Sequence, residues 1–147
     1  MKIQGYDLSF IDKFLLSKFM SQNQFQYLIE MASKGDEKCI LKLGYIQSRI
    51  EGVPINFSQT LPQNPIAHLR YKTDHSTFFI TEKDVEEPTE YKSEPTDHQC
   101  CAYGLSVFNN DFDSAVYGPI PLGNLIKNGA LLDTSFKPIK LEVKQYG

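Results

Sequence analysis

Apolar residues in the first part of the chain recur at helical spacing. Leu8, Ile11, Leu15 and Phe19 lie three and four apart, as a core-facing helical stripe does, and Asp7 or Ser9 is placed to cap its start. A second helix is predicted to begin near Ser21, carry Phe25, Leu28 and Ile29, and stop at Lys34 and Gly35, where a basic residue and then glycine favour termination. A third spans about 36–50. Its stripe is Cys39, Ile40, Leu43 and Ile46, extended by Ile50, and Asp36 and Glu37 put negative charge at its N-terminus. Gly52, Val53 and Pro54 end helical structure. Residues 1–63 therefore read as a helical part, and 53–65, rich in Pro, Asn, Ser and Gln, as its connection to the remainder of the chain.

Beyond that connection the period changes to two. Leu69 and Tyr71 fall on one face and His68 and Arg70 on the other, as in a half-buried strand. The polar stretch 73–76, centred on Asp74 and His75, is short enough to join that strand to TFFIT as a hairpin. A strand over 100–108 comes next, turning at Asn109, Asn110 and Asp111 into another over 115–117. Pro121 suits the first turn of a short helix ending at Asn128 and Gly129. A last strand covers 136–143, where Pro138 points to an edge or an irregular start. The expected fold is α+β: N-terminal helices packed on a small, mainly antiparallel sheet, with one short helix before the last strand. The expected organisation is a single domain over 1–147, helical in 1–63 and sheet-bearing in 64–147, because so short a helical part gives little core of its own.

The composition sets further bounds. With 41% apolar residues, ten Phe and eight Tyr, the 147 residues can bury a core without disulfides or metal. Fifteen basic against 18 acidic residues give a net charge of −3, too weak to mark a nucleic-acid-binding surface. Asp7 and Asp12 interrupt what would be the apolar part of an export signal, and no long apolar run marks a membrane span. Cys39, Cys100 and Cys101 are an odd set that suits free thiols in a reducing compartment. A cytoplasmic location without membrane contact is the expectation.

Acidity is concentrated in residues 82–97, where Glu82, Asp84, Glu86, Glu87, Glu90, Glu94 and Asp97 face only Lys83 and Lys92. With Pro88 and Pro95 among them, these residues read as a solvated loop suited to steering toward a basic partner. The run lacks the glycine-punctuated spacing of a calcium loop. His98, Cys100 and Cys101 carry zinc-ligand chemistry, but adjacent cysteines on a strand point to opposite faces, so ordinary thiols and no metal are expected. His75 beside Asp74 resembles half of an acid–base pair, with no nucleophile assignable to it. Tyr71, Phe78, Phe79 and Tyr103 would be a base-stacking platform if exposed, yet only Arg70 and Lys72 accompany them, so core packing is expected for most. Asp111 and Asp113 read as turn formers. Common nucleotide, zinc-protease and hydrolase signatures are absent.

Two resemblances add to this. The runs HLRYKTD, TFFITEKD, CCAYGLSVF, AVYGPIPLGNLI and FKPIKLEV, within 64–143, resemble in order and approximate spacing a small family of unknown function encoded mainly on plasmids and integrative conjugative elements, often near anti-restriction genes. That family has VKFFTP-, WYATE- and FFGYV-like strands, an ELGYFSLDEL segment and a final strand with a proline-containing tail. Trp is absent here and the acidic stretch is longer. The resemblance implies an α+β fold and a mobile-element or host-conflict setting, and brings no catalytic residues. Residues 31–59 resemble one unit of the Sel1-like helical repeat, which implies a helix–turn–helix pair.

The resulting expectation is a non-enzymatic, cytoplasmic binding or accessory protein without cofactor, acting on a protein partner rather than nucleic acid. Glu82, Asp84, Glu86, Glu87, Glu90 and Glu94 are the candidate contact residues. Two other readings stay open, together with the oligomeric state: an enzyme using His75, His98 or a free cysteine, and a single-stranded nucleic-acid binder.

Overall fold

Short polar side chains start each of the three N-terminal helices. In a computed structural model, which describes residues 2–3, 6–7, 9–56, 65–84 and 98–141, the chain opens with a ribbon of β1 (Lys2–Ile3) and β2 (Tyr6–Asp7). Helix α1 (Lys13–Phe19) begins at Asp12, whose Oδ1 accepts the Leu15 N–H at 3.0 Å. This corrects the expected cap at Asp7 or Ser9. The reason is a tertiary bond: Gln47 of the third helix accepts the Asp12 N–H at 2.7 Å and donates to the Phe10 carbonyl at 3.2 Å. Those groups are thereby committed outside the helix, although Leu8 and Ile11 fit its period.

Helix α2 (Gln22–Ser33) is capped by Ser21 and α3 (Glu37–Glu51) by Asp36, each accepting from the amide three residues on at 3.1 Å. Gly35, at φ +90°, makes the sharp exit from α2 that a side chain would resist. Leu28 of α2, and Cys39, Leu43, Ile46 and Ile50 of α3, are buried as the spacing predicts; Phe25, Ile29 and Ile40 pack only at the margin, and Ala32, which the stripe did not include, is buried as well. No helix among the described residues is long and apolar enough to cross a membrane.

After β3 (Ile55–Asn56), the sheet half supplies β4 (Ile66–Ala67), β5 (Leu69–Lys72), β6 (Thr77–Asp84), β7 (Ala102–Val107) and β8 (Val116–Ile120). Helix α4 (Leu122–Lys127), β9 (Leu131–Leu132) and β10 (Ile139–Lys140) complete it. The main sheet runs β8-β7-β6-β5-β9 with antiparallel neighbours. Strand β3 adds in parallel to the end of β6, opposite Lys83 and Asp84, and β4 pairs with β10 in a separate ribbon. The fold is α+β, as expected. Three local expectations change among the described residues: Ile55–Asn56 is strand within the presumed helical and connecting stretch, β9 adds a strand that no period reveals, and the last strand holds only Ile139–Lys140 within 136–141, positions 142–143 of the expected strand lying outside the described residues. Turn bonds from the Ser135 N–H and hydroxyl to Asp133 Oδ1 redirect the chain, and Phe136 turns into the core instead of extending a ladder.

Both faces of the sheet are covered. Leu69, Tyr71, Phe78, Ile80, Ala102 and Ile120 pack against the helices, joined by Leu122 and Ile126 of α4. On the reverse, Phe79, Leu105 and Val107 meet Ala67, Ala115, Phe136 and Leu141. Strand β7 is consequently buried along its whole length. At the helical side Gln24 behaves like one more strand residue, donating to the Leu132 carbonyl at 2.7 Å and accepting its N–H at 3.1 Å. That satisfies the β9 edge without another chain.

The β6–β7 pairing carries an irregularity at Thr81, where the register steps from Ile80–Gly104 to Glu82–Tyr103. Thr81 donates its hydroxyl to the Tyr103 carbonyl at 3.1 Å, so Tyr117, 2.5 Å away, donates to Thr81. Beside the bulge, a Cβ on Gly104 would lie 1.8 Å from the Phe79 carbonyl oxygen, whereas one on Gly118 would meet nothing within 4 Å. Gly104→Ala is expected to lower unfolding free energy by about 3 kcal/mol, the upper range of overpacking costs, and Gly118→Ala by under about 1 kcal/mol. Chemical denaturation of the two variants reads the difference; equal losses would contradict the close approach.

Candidate functional site

The acidic run leaves the sheet at one end. Glu82 is half-buried opposite Tyr103, and Asp84 is the last residue of β6, paired with Asn56. Glu86, Glu87, Glu90 and Glu94 lie outside the described residues. His75 sits exposed in the β5–β6 hairpin, with its carbonyl accepting the Asn110 N–H at 3.1 Å. His98, Cys100 and Cys101 lead into β7, whose first residue pairs with Lys83 at the other end of β6. At about 3.4 Å per residue, that separates His75 from them by roughly 20 Å. Cys100 is exposed, Cys101 half-buried and Cys39 buried, where desolvation, then the neighbouring Asp36 carboxylate, push its thiol pKa up. Among the described residues no three His, Cys, Asp or Glu side chains form a metal-holding group. Tyr71, Phe78, Phe79 and Tyr103 are all buried, so none offers a ring face for stacking.

The His98 and Gln99 segment has a structural task the sequence did not disclose. A helix leaves its last carbonyls without intrahelical donors, and α1 passes directly into extended backbone at Met20. Three groups from the sheet half take up those carbonyls. The Gln99 N–H donates to Lys18 at 2.9 Å, the Tyr71 hydroxyl to Phe19, and His98 Nε2 to Met20 at 3.1 Å. This seats α1 across the end of β6 and β7.

A cleft of about 340 Å³ results, lined by Asp12, Phe14, Leu15, Lys18, Phe19, Ile55, Lys83 and Gln99. Lys18 is only 5% exposed, its Nζ 4.5 Å above the Phe14 ring. Lys83 Nζ reaches the Ile50 carbonyl at 3.4 Å and lies 5.9 Å from the centre of the Phe19 ring. Gln99 is buried and donates Nε2 to the Cys101 carbonyl at 3.0 Å. Phe14 and Ile55 stand half-exposed at the rim. The Asp12 carboxylate, also exposed, caps α1. The arrangement joins two ammonium groups to an apolar wall. Sequence reasoning passed over it because its parts come from α1, β3, β6 and the approach to β7. One signal was available: Lys18 follows Ile11 by seven residues and Leu15 by three, which puts a cation on the apolar stripe.

Elsewhere the electrostatics are structural. Burial opposes ionisation of Asp133, but the Arg70 guanidinium and the Ser135 N–H and hydroxyl outweigh it and hold the carboxyl below its usual range. Arg70 also lies over the Phe136 ring, tying the last turn to β5. His68 is held neutral to lower pH by burial, assisted by Arg49.

Complete burial raises the Tyr71 phenol pKa well above 10.0. The unfolded phenol therefore ionises first as pH rises, so Tyr71's contribution is complete below pH 10 and is lost as pH climbs toward the folded value. Tyr71→Phe should cost about 1–3 kcal/mol at pH 7, since the Phe19 carbonyl loses its buried donor. It should also flatten the decline of stability above pH 10. Denaturant unfolding from pH 7 to 11.5 checks both; an unchanged alkaline slope would contradict the assignment.

Comparison of the chain with family models, with curated proteins and with solved structures finds no match. The functional reading rests on the residues themselves.

Proposed function

We propose that this chain is a non-enzymatic cytosolic binding protein that engages a basic protein partner through its acidic residues 82–97. The observation that carries the reading is the concentration of charge along the chain: Glu82 and Asp84 are the last acidic residues of β6, and Glu86, Glu87, Glu90, Glu94 and Asp97 follow in sequence. Residues 64–147 hold 12 acidic against 8 basic side chains, with seven of the acidic ones in this run. A surface of one sign accelerates encounter with a complementary partner. The distance between His75 and the His98, Cys100 and Cys101 group supports binding over catalysis. The burial of Tyr71, Phe78, Phe79 and Tyr103 supports a protein partner over single-stranded nucleic acid. The resemblance of 64–143 to a plasmid- and conjugative-element-borne family suggests a mobile-element or host-conflict setting for this binding.

Affinity capture from the native cell, with mass-spectrometric identification, supplies the partner. Combined Glu86→Lys, Glu87→Lys and Glu90→Lys should then slow its association at low salt by about tenfold or more. The difference should shrink at high salt, and thermal stability should stay nearly unchanged. Association kinetics identical to the parent chain at low salt would refute the acidic surface as the contact.

A further inference from the structure

We propose that the flank of α3 beside His68 and Phe136 binds an acidic peptide segment in extended form, with Arg49 as its anchor. This binding is independent of the acidic residues 82–97 and of the cleft beside α1. Periodicity is its first support. At about 100° per residue, Lys38, Lys42, Tyr45 and Arg49 fall within about 60° of the helix circumference, whereas the acids Glu37 and Glu51 lie about 80° and about 120° outside that arc. Gly52 continues the line, and a Cβ there would stand 4.0 Å from His68 Nδ1, so the His68 ring closes its C-terminal end. Lys38 and Lys42 are exposed, while Tyr45, Arg49 and His68 are half-buried. Among the described residues, Lys38, Lys42 and Arg49 enter no ion pair.

Arg49 carries the argument furthest. Its guanidinium lies 5.4 Å from the centre of the Tyr45 ring, and its buried Nε has no hydrogen-bond partner. A half-buried guanidinium gives up part of its hydration, and an aromatic face returns only some of that. The neighbouring imidazole brings no acid with it: besides burial, the influence on His68 is the positive charge of Arg49 itself. A carboxylate brought against the guanidinium supplies the acceptor it lacks, in the planar geometry that arginine favours. The cations are strung out rather than convergent. From Lys38 the helix rises about 6 Å to Lys42 and about 16 Å to Arg49, while carboxylates on alternate residues of an extended chain recur about every 6.7 Å. A string of single charges therefore fits this flank better than one phosphate group. Tyr45 decides between peptide and single-stranded nucleic acid. Its hydroxyl donates to the Phe136 carbonyl at 2.8 Å and its ring is engaged by Arg49, so it is not a free platform for a base.

The test titrates the full chain at low salt with a twelve-residue peptide of alternating glutamate and serine, with its glutamine counterpart and with a twelve-nucleotide oligothymidylate, monitored by amide chemical shifts. The glutamate peptide should shift Lys38, Lys42, Tyr45, Arg49 and His68 saturably, with the other two probes at least about tenfold weaker. Lys42→Glu, at an exposed position, should weaken the glutamate peptide at least about fivefold, and Arg49→Gln at least about tenfold. Lys34→Gln, which removes a cation outside α3 that pairs with Glu30, should stay within about twofold of the parent chain. Equal binding of the glutamine peptide, tighter binding of oligothymidylate, shifts confined to other regions, or parent affinity in a folded Lys42→Glu variant would each overturn the proposal.

Discussion

The end of α1 has no cap of its own, and the sheet supplies one. Lys18, Phe19 and Met20 present carbonyls that turn away from the helix, and the Gln99 N–H, the Tyr71 hydroxyl and the His98 ring take them up. An unsatisfied buried carbonyl costs on the order of 1–3 kcal/mol, so α1 is held in this pose by hydrogen bonding as well as by burial of Leu16 and Phe19. The same contacts account for His98 and Gln99. They fix the approach to β7, and they place Lys18 opposite Lys83.

That junction organises the rest of the molecule. Strand β6 runs through the middle of the sheet, and its last residues serve three purposes at once: pairing with β7, accepting β3, and lining the cleft with Lys83. The bulge at Thr81 turns this end of the strand, and Gly104 permits the approach of the two backbones beside it. The reverse face is closed by Phe136 and Leu141, with the Arg70–Asp133 pair anchoring the turn that delivers them. Glu82, Asp84 and the cleft therefore occupy the same end of one sheet.

Local signals in the sequence were sufficient where local interactions decide the outcome. Ser21, Asp36 and Gly35 mark helix boundaries through bonds and torsions within a few residues, and the 73–76 hairpin closes through a Thr73 N–H to Ser76 carbonyl bond. Leu69 and Tyr71 share the helix-facing side, as their alternation requires. The start of α1 could not be read, because Gln47, 35 residues from Asp12, decides it. Two-residue strands such as β3 and β9 are too short to show a period. Residues 102–107, buried on both faces, show no alternation, yet their strand was legible within 100–108 as a β-type run bounded by the Asn109–Asn110 turn. For function, clustered acidity is visible as composition, whereas the cleft unites residues from distant segments and becomes apparent only after folding.

Native-state hydrogen exchange tests the shared cap most directly. If the sheet half holds α1 in place, the helical amides of Leu16 and Phe19 and the Gln99 amide should open together, with one common free energy and denaturant dependence, in a unit that includes the Tyr71 strand. Exchange of Leu16 and Phe19 through a separate, lower-energy opening while Gln99 stays protected would contradict the account.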